Sequence, residues 1–498
     1  MTEFELKFQV DADRRAAVEA AVARGRSHRT RLRARYFDTA DGALAASHIV
    51  LRLRKEGGAW VQTAKAPTDG PLERLEHNVE LPPSRASDPP EPLIARHAGT
   101  PVGERIAKAL QQSGHDPAQV ELVPLYGTDV WRTTREMRTG DALVELAFDV
   151  GQVRSGARSH PLCELELELK HGSPASMLEL AGRWCARYAL WLDTVSKAER
   201  GARLARGEVH GAPVKAENPQ LDRRASGPQM FRAVLNNCLR QILQNASEIA
   251  AGSSDAEHIH QLRVGIRRLR TALREMAELA PSPPDPAWDQ ALVDAFRALG
   301  QQRDLAQLQE TVQPQIEALG GPRIQFADAS VASPEPGEVV RATRFQAVLM
   351  RLVAASLPDG VADDASADTV APRQILRARL AQLHRQVVRD GKRFEALGPD
   401  EQHRVRKRLK RLRYLGEFAA SLFDRREARR YLEKLEPVQD ALGAHNDAAV
   451  AIAACREMAA HDGGAWFAVG WLTARHPASA KECGKALAEL SKLRPFWD

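Results

Sequence analysis

Glu3-Phe4-Glu5-Leu6-Lys7-Phe8 alternates charged and apolar residues at a spacing of two, and Cys163-Glu164-Leu165-Glu166-Leu167-Glu168-Leu169 repeats the pattern with three glutamates. Read as β-strands, each puts its ionised side chains on one face and its apolar ones on the other. The plain reading is a half-buried sheet whose charged side faces water. Three carboxylates on one strand face repel one another, however. Leu51-Arg52-Leu53-Arg54, Val61-Gln62-Thr63-Ala64-Lys65 and Glu73-Arg74-Leu75-Glu76-His77-Asn78-Val79 carry bases or mixed charge in the same alternation. Acids gathered on some strands and bases on others suit a closed barrel with inward-pointing charge. There, carboxylates hold a hard cation and Lys and Arg hold phosphate oxygens.

The rest of the chain bounds this reading. At 498 residues it exceeds what one core organises, and 43% hydrophobic with 27% charged is ordinary for a globular protein. No run of eighteen apolar residues occurs and the N-terminus is not signal-like, so the expectation is a cytoplasmic protein without a membrane span. Cys163, Cys185, Cys238, Cys455 and Cys483 are scattered without a CxxC pair and read as reduced packing residues. A net charge of +6 is mild for this length, so the placement of the basic residues matters more than their total.

The texture changes after a Gly-, Pro- and charge-rich stretch, which sets expected limits of 1–205 for the first domain, 206–228 for a linker and 229–498 for a second, helical domain. His260-Gln261-Leu262-Arg263 continuing to Arg270 returns as His403-Arg404-Val405-Arg406 continuing to Arg413, an offset of 143 residues. Leu299-Gly300 followed by Arg303-Asp304 returns at the same offset as Leu442-Gly443 followed by Asn446-Asp447. A shared offset argues for an internal duplication. On a helix, His260, Arg263, Arg267, Arg270 and Arg274 form one stripe beside an apolar stripe of Leu262, Ile266, Leu269 and Leu273. The second copy pairs His403, Arg406, Lys410 and Arg413 with Val405, Leu409 and Leu412. Seven cations and no acid between Arg404 and Arg413 cost self-repulsion unless an anion relieves it.

The EFELK start, the Tyr36-Phe37-Asp38-Thr39 turn, LRLRKEGG, ELAFDVG, PLCELELEL and Val195-Ser196-Lys197-Ala198-Glu199-Arg200-Gly201 together resemble the CYTH, or triphosphate tunnel metalloenzyme, family over nearly all of residues 1–205. Within it the chain is most similar to the bacterial inorganic triphosphatases that carry a second, CHAD domain. The resemblance implies an α+β first domain built on an antiparallel, eight-stranded closed β-barrel, and an all-α helical bundle with internal duplication. It implies Glu3, Glu5, Glu164 and Glu166 as ligands of Mg²⁺ or Mn²⁺, and Glu3, Glu5 and Lys7 as catalytic. Lys7, Arg52, Arg54, Lys65, Arg74, Arg132 and Lys197 would bind the substrate. Asp149 and Glu168 share their strands' charged faces as further ligand candidates, and Glu76 is a candidate proton acceptor. In the CHAD domain, His260, Arg263, Arg267, Arg268 and Arg270 with His403, Arg406, Lys407, Lys410, Arg411 and Arg413 would bind polyphosphate.

The implied reaction is hydrolysis of tripolyphosphate to diphosphate and phosphate, with longer polyphosphate as a partner and polyphosphate granules as an expected address. Nucleic acid is disfavoured because the basic stripes lack interleaved aromatics, Tyr414 being the nearest. Two other readings stay open. One is a tunnel enzyme acting on thiamine triphosphate, a nucleoside triphosphate or, as a class IV-type adenylate cyclase, ATP; the other is a non-catalytic polyphosphate-binding or granule-docking protein. Arg31, Arg33 and Arg35 read either as an extended clamp or as a solvated edge. Oligomeric state is not readable.

Overall fold

The computed structural model describes residues 2–56, 58–67, 73–82, 89–324, 334–358 and 371–498, with backbone alone described at 2, 3, 73, 74 and 301–308. It divides into two compact units, one of residues 1–214, 239–258 and 340–354, the other of 215–238, 259–339 and 355–498.

The first unit is built on an antiparallel sheet of β1 (Thr2–Gln9), β2 (His28–Asp38), β3 (Val50–Glu56), β4 (Ala59–Pro67), β5 (Glu73–Glu80), β6 (Val123–Thr139), β7 (Ala142–Ser155), β8 (Arg158–His171) and β9 (Trp191–Leu192). Their order is β5-β4-β3-β2-β6-β7-β8-β1-β9. This corrects the expectation of an eight-stranded closed barrel. Among the described residues the sheet has nine strands, and β1 shares one edge between two partners: Thr2, Glu3 and Phe4 pair with β5, whereas Phe8 and Gln9 pair with β9. Among the described residues the two sides of the sheet therefore meet over three residue pairs, and β9 takes the far end of that edge of β1.

The period of two decides which face is buried. Leu6, Phe8, Leu146, Phe148, Leu165 and Leu167 are all buried on the face opposite the charges. Burying each contributes about 1.5–3 kcal/mol. Helix α1 (Arg15–Val22), α2 (Pro101–Gln112) and α3 (Pro174–Tyr188) pack against this outer face of the sheet. Helix α4 (Lys197–Arg206) starts at Ser196, whose hydroxyl accepts from the Glu199 N–H, and stops at Gly207 with φ 78°. Serine three residues before glutamate is thus a working N-cap, and it sets Lys197 as the first helical residue.

The remaining long helices are α5 (Gly227–Ala250), α6 (Ala256–Glu275), α7 (Pro286–Thr311), α8 (Thr343–Ala355), α9 (Pro372–Gly391), α10 (Pro399–Ala419), α11 (Arg425–Met458) and α12 (Ala465–Leu490). The second half of α5 and nearly all of α8 belong to the first unit, where the Leu192 N–H donates to Gln346 Oε1 at 2.9 Å. In the second unit, Leu262, Ile266 and Leu269 of α6 and Val405, Leu409 and Leu412 of α10 are buried, as the apolar stripes anticipate.

Candidate active site and basic cleft

Register assembles the first site. Asp149 lies opposite Arg132 on one side and Glu164 on the other, while Lys7 lies opposite Glu166 and Glu5 opposite Glu168. Around the other side of the sheet, Arg52 pairs with Tyr36 and Thr63, Lys65 with Glu76, and Glu3 with Arg74. Since parity alternates along every strand, Glu5, Lys7, Arg52, Arg54, Lys65, Arg132, Glu164 and Glu166 share one face. The side chains of Glu3 and Arg74 lie outside the described residues; their backbones pair with each other.

The centre of that face is an ion cluster. Carboxylate oxygens of Asp149, Glu164 and Glu166 lie within 4.8 Å of one another, with Asp149 and Glu164 at 0% exposure. Lys197 Nζ stands among them, 2.8 Å from Asp149 Oδ2 and 2.6 Å from Glu166 Oε1, and also contacts Glu164. Arg132 forks onto Asp149, with Nε 2.8 Å from Oδ1 and Nη2 2.6 Å from Oδ2, and Nη2 reaches Glu166 as well. A lysine at the first turn of a helix faces the positive end of its dipole, a cost that these carboxylates offset.

Burial alone would push the Asp149 carboxyl up, but Arg132 and Lys197 hold it below its ordinary range. For Glu166, burial is likewise outweighed by Lys197 and Arg132, which leave it well below the usual carboxylate value. Burial opposes the charge on Lys197, yet Asp149 and Glu164 raise its pKa well above that of a free lysine. Asp149, Glu166, Arg132 and Lys197 are therefore ionised at neutral pH.

Other expected residues take different partners. Lys65 Nζ is 2.5 Å from Glu76 Oε2, and Arg54 pairs with Glu56. Burial and the neighbouring Arg52 lower the Arg54 pKa. Lys7 Nζ contacts the Val195 carbonyl and lies 3.6 Å from Asp193 Oδ2. Glu5 shares the face but is not part of the three-carboxylate group, in which Asp149 stands instead. Arg31 is on the outer face, forked onto Asp129, and exposed Arg33 and Arg35 alternate with buried Leu32 and Ala34; β2 is paired on both sides, so the run is a solvated face of the sheet.

At one end of the charged face Tyr36 and Tyr126 stack with ring centroids 4.7 Å apart. Gly201 of α4 lies against them, so close that a Cβ there would overlap the Tyr126 ring. The sequence reading missed this pair, because nothing local distinguishes a buried tyrosine on the charged face from one on the apolar face.

In the second unit a cleft of about 1570 Å³ is lined by His260, Arg263, Arg267, Arg270, Arg274 and Arg297 together with His403, Arg404, Arg406, Lys407, Arg408, Lys410 and Arg411. The two basic stripes thus share one space. Arg263 and Arg267 lie over the Phe296 ring at 4.7 and 5.5 Å, and Gly300 leaves room for Arg263, whose Nη2 would be 2.8 Å from a Cβ there. Arg267 Nε and Arg406 Nε are buried with no hydrogen-bond acceptor among the described residues. Acids are sparse: Asp289 pairs with Arg270, and Asp447 is 3.9 Å from Arg406. Burial and then Arg406 and Arg267 lower Lys410 to about 7.

Two residues expected in this cleft are elsewhere. Arg268 is fully buried, donating to the Glu217 carbonyl at 2.7 Å and to Asn237 Oδ1 at 2.9 Å, with its guanidinium over Phe418. Arg413 is held by Glu417 at 2.8 Å and Gln439 at 3.0 Å, away from the cleft lining. Arg268 sits one position off the stripe that the helical period selects, whereas Arg413 lies on that stripe and is drawn out of the cleft by Glu417 and Gln439.

The CYTH domain profile matches residues 1–202 and the CHAD domain profile residues 233–456. The chain is a two-domain CYTH–CHAD protein. It is 28% identical over 171 residues to an inorganic triphosphatase of Haemophilus influenzae, an alignment covering 33% of this chain and 44% of the relative, so the chain spans less than half the length of that protein. Among solved structures it is similar to the CHAD domain from Ricinus communis at 29% identity, covering 57% of this chain and 98% of the other with a TM-score of 0.43. It is also similar to a Hippeastrum protein assigned as an adenylyl cyclase and described as having a dominant triphosphatase activity, at 16% identity, 42% and 97% coverage and a TM-score of 0.29.

Proposed function

We propose that the protein is a metal-dependent inorganic triphosphatase that hydrolyses tripolyphosphate to diphosphate and phosphate, with polyphosphate bound in the cleft of the CHAD domain. The observation that carries this reading is the registration of acidic and basic strands onto one face, centred on Asp149, Glu164, Glu166, Arg132 and Lys197.

An all-oxygen donor set of three carboxylates fits Mg²⁺ or Mn²⁺. When bound by Asp149, Glu164 and Glu166, such an ion polarises a phosphoryl oxygen and makes water more acidic. Lys7, Arg52, Arg54 and Lys65 neutralise the oxygens of the phosphate chain, Arg132 offering a planar fork and Lys197 a point charge. The oxygen of water bonds to the terminal phosphorus as the bridging P–O bond breaks, diphosphate leaves, and the proton of water passes to solvent. The low pKa values of Asp149 and Glu166 suit them to ligation and make them poor bases.

The stacked Tyr36 and Tyr126 support an inorganic substrate. Ala198 and Gly201 of α4 pack against them, so they offer no platform to a base or a thiazole. For the CHAD cleft, Arg267 and Arg406, whose Nε atoms are buried without an acceptor among the described residues, support a phosphate chain, which needs charge and hydrogen bonds without stacking. One observation favours the second reading, a non-catalytic phosphate binder: Lys197 already stands among the three carboxylates and pairs with each.

Phosphate release from tripolyphosphate, ATP and thiamine triphosphate with Mg²⁺ or Mn²⁺ tests the proposal. The expected result is turnover of tripolyphosphate, abolished by chelator and by Glu166→Gln. Binding of phosphate chains without release from any substrate would establish the second reading.

A further inference from the structure

Lys7 reaches the charged face from β1, and what holds it there is not on the sheet. Its ammonium contacts the Val195 carbonyl and faces Asp193 Oδ2 at 3.6 Å, while the Asp193 N–H donates to the Lys7 carbonyl at 2.8 Å. Asp193 is 5% exposed and saturated with donors. Its Oδ2 accepts from Gln9 Nε2 at 2.7 Å and pairs with Arg200; its Oδ1 accepts from the Val195 N–H at 2.9 Å and from Ser247 Oγ at 2.6 Å. Ser247 Oγ in turn accepts from the Thr194 N–H at 3.2 Å. Ser247 is 2% exposed and lies in the second half of α5, inside the stretch matched by the CHAD profile yet within the sheet-bearing unit.

A buried carboxylate bound this way has one geometry available to it. Each donor fixes an oxygen, and an ionised group with hydrogen bonds to both oxygens cannot rotate without leaving a desolvated donor unmatched. We infer that Asp193 is a positioning residue that aims the Lys7 ammonium at the phosphate chain, and that Ser247, supplied by a helix of the CHAD stretch, locks Asp193 in that orientation. The inference rests on the triphosphate reading of the charged face, and it gives the CHAD stretch a part in building the first site. Gln9 extends the link, since its amide also donates to Glu164 Oε2 at 3.3 Å, joining the Asp193 network to the carboxylate cluster.

The experiment uses the full chain with Ser247→Ala and Asp193→Asn, and with Gln346→Leu as the control. Gln346 makes a buried hydrogen bond to the adjacent Leu192 N–H but does not touch Asp193, so it reports a purely structural loss. Two quantities are read. Substrate-independent labelling of amines, mapped to Lys7 by mass spectrometry, is expected to run several-fold faster in Ser247→Ala and Asp193→Asn and unchanged in Gln346→Leu. With tripolyphosphate, KM is expected to rise about tenfold in Ser247→Ala, one hydrogen bond to a charged group, with kcat changed less, and to stay put in Gln346→Leu. Equal Lys7 labelling in all four proteins overturns the inference whether or not the protein turns over. Selective Lys7 labelling with no hydrolysis by the wild type upholds the positioning and removes the triphosphatase reading instead.

Discussion

Lys197 Nζ lies 2.6 Å from Glu166 Oε1 and 2.8 Å from Asp149 Oδ2, in the position from which one cation serves three carboxylates. Removing it leaves Arg132 to compensate Asp149 and Glu166 and takes the paired ammonium from Glu164. Lys197→Met is expected to destabilise the first unit by about 3–5 kcal/mol, the usual cost of breaking a buried ion pair from one side. Millimolar Mg²⁺ should restore part of that loss by replacing the missing charge. Thermal unfolding with and without Mg²⁺ checks this, and identical melting in both would remove the metal assignment.

The same cluster sets an acid limit. Asp149 and Glu166 have folded pKa values below their unfolded ones, so their stabilisation is complete above the unfolded values of about 3.9 and 4.3 and is lost as pH falls through the folded values. Stability should be flat from about pH 7 to 5 on this account and fall below about 4. Asp149→Asn should be less stable near neutrality and show a shallower acid slope in urea unfolding.

Lys410 gives the CHAD cleft its pH response. With a pKa near 7, it is half-charged at neutrality, and protonation adds a cation to the cleft as pH falls. An anion binds the charged form more tightly, so affinity for long-chain polyphosphate should rise from pH 8.5 to 6, with proton uptake on binding seen by calorimetry in buffers of different ionisation enthalpy. Lys410→Gln should flatten that range. Burial lowers His403 below its ordinary value, so its contribution belongs at lower pH.

Arg267 and Arg268 are neighbours in sequence with separate tasks. Arg267→Ala is expected to weaken polyphosphate binding and reduce its salt dependence while leaving unfolding nearly unchanged. Arg268→Ala leaves Asn237 and the Glu217 carbonyl without their buried donor, and should cost about 3 kcal/mol of stability, in line with removing one member of a buried charged network. Polyphosphate affinity of the folded Arg268 variant should be unaltered. Matching affinity losses in both variants would contradict this division.

Gly201→Ala tests the covered end of the charged face. Its methyl group would enter the space of the Tyr126 ring, so overpacking should cost about 1–3 kcal/mol. If the tyrosine pair instead moved aside at no cost, the melting temperature would not change.

Much of both sites was legible because periodicity survives folding. Alternation at two placed Lys7, Arg52, Arg54, Lys65, Glu164 and Glu166 on one face, and spacing at three and four placed His260, Arg263, Arg267 and Arg270 on one stripe. Those assignments depend only on the geometry of a strand or a helix, which every residue in it inherits. Arg268 was misplaced because a basic cluster was carried over whole instead of by the stripe, and Arg413, though on the stripe, is held by Glu417 and Gln439, partners that the helical period does not reveal. Asp149 entered the carboxylate group ahead of Glu5 because register, set by long-range pairing, decides which residues of neighbouring strands lie opposite one another.

The two-domain character, the faces of the strands and helices, and the duplication that pairs two basic stripes could be read along the chain, since all three are carried by local period and repetition. Long-range packing settled how the strands meet along β1, that Lys197 stands among carboxylates, and that Ser247 and Gln346 belong to the sheet-bearing unit. Asp193 and Ser247 are 54 residues apart. A contact of that kind leaves no local signature, because it is selected by the packing of buried donors and acceptors and not by the conformation of either segment alone.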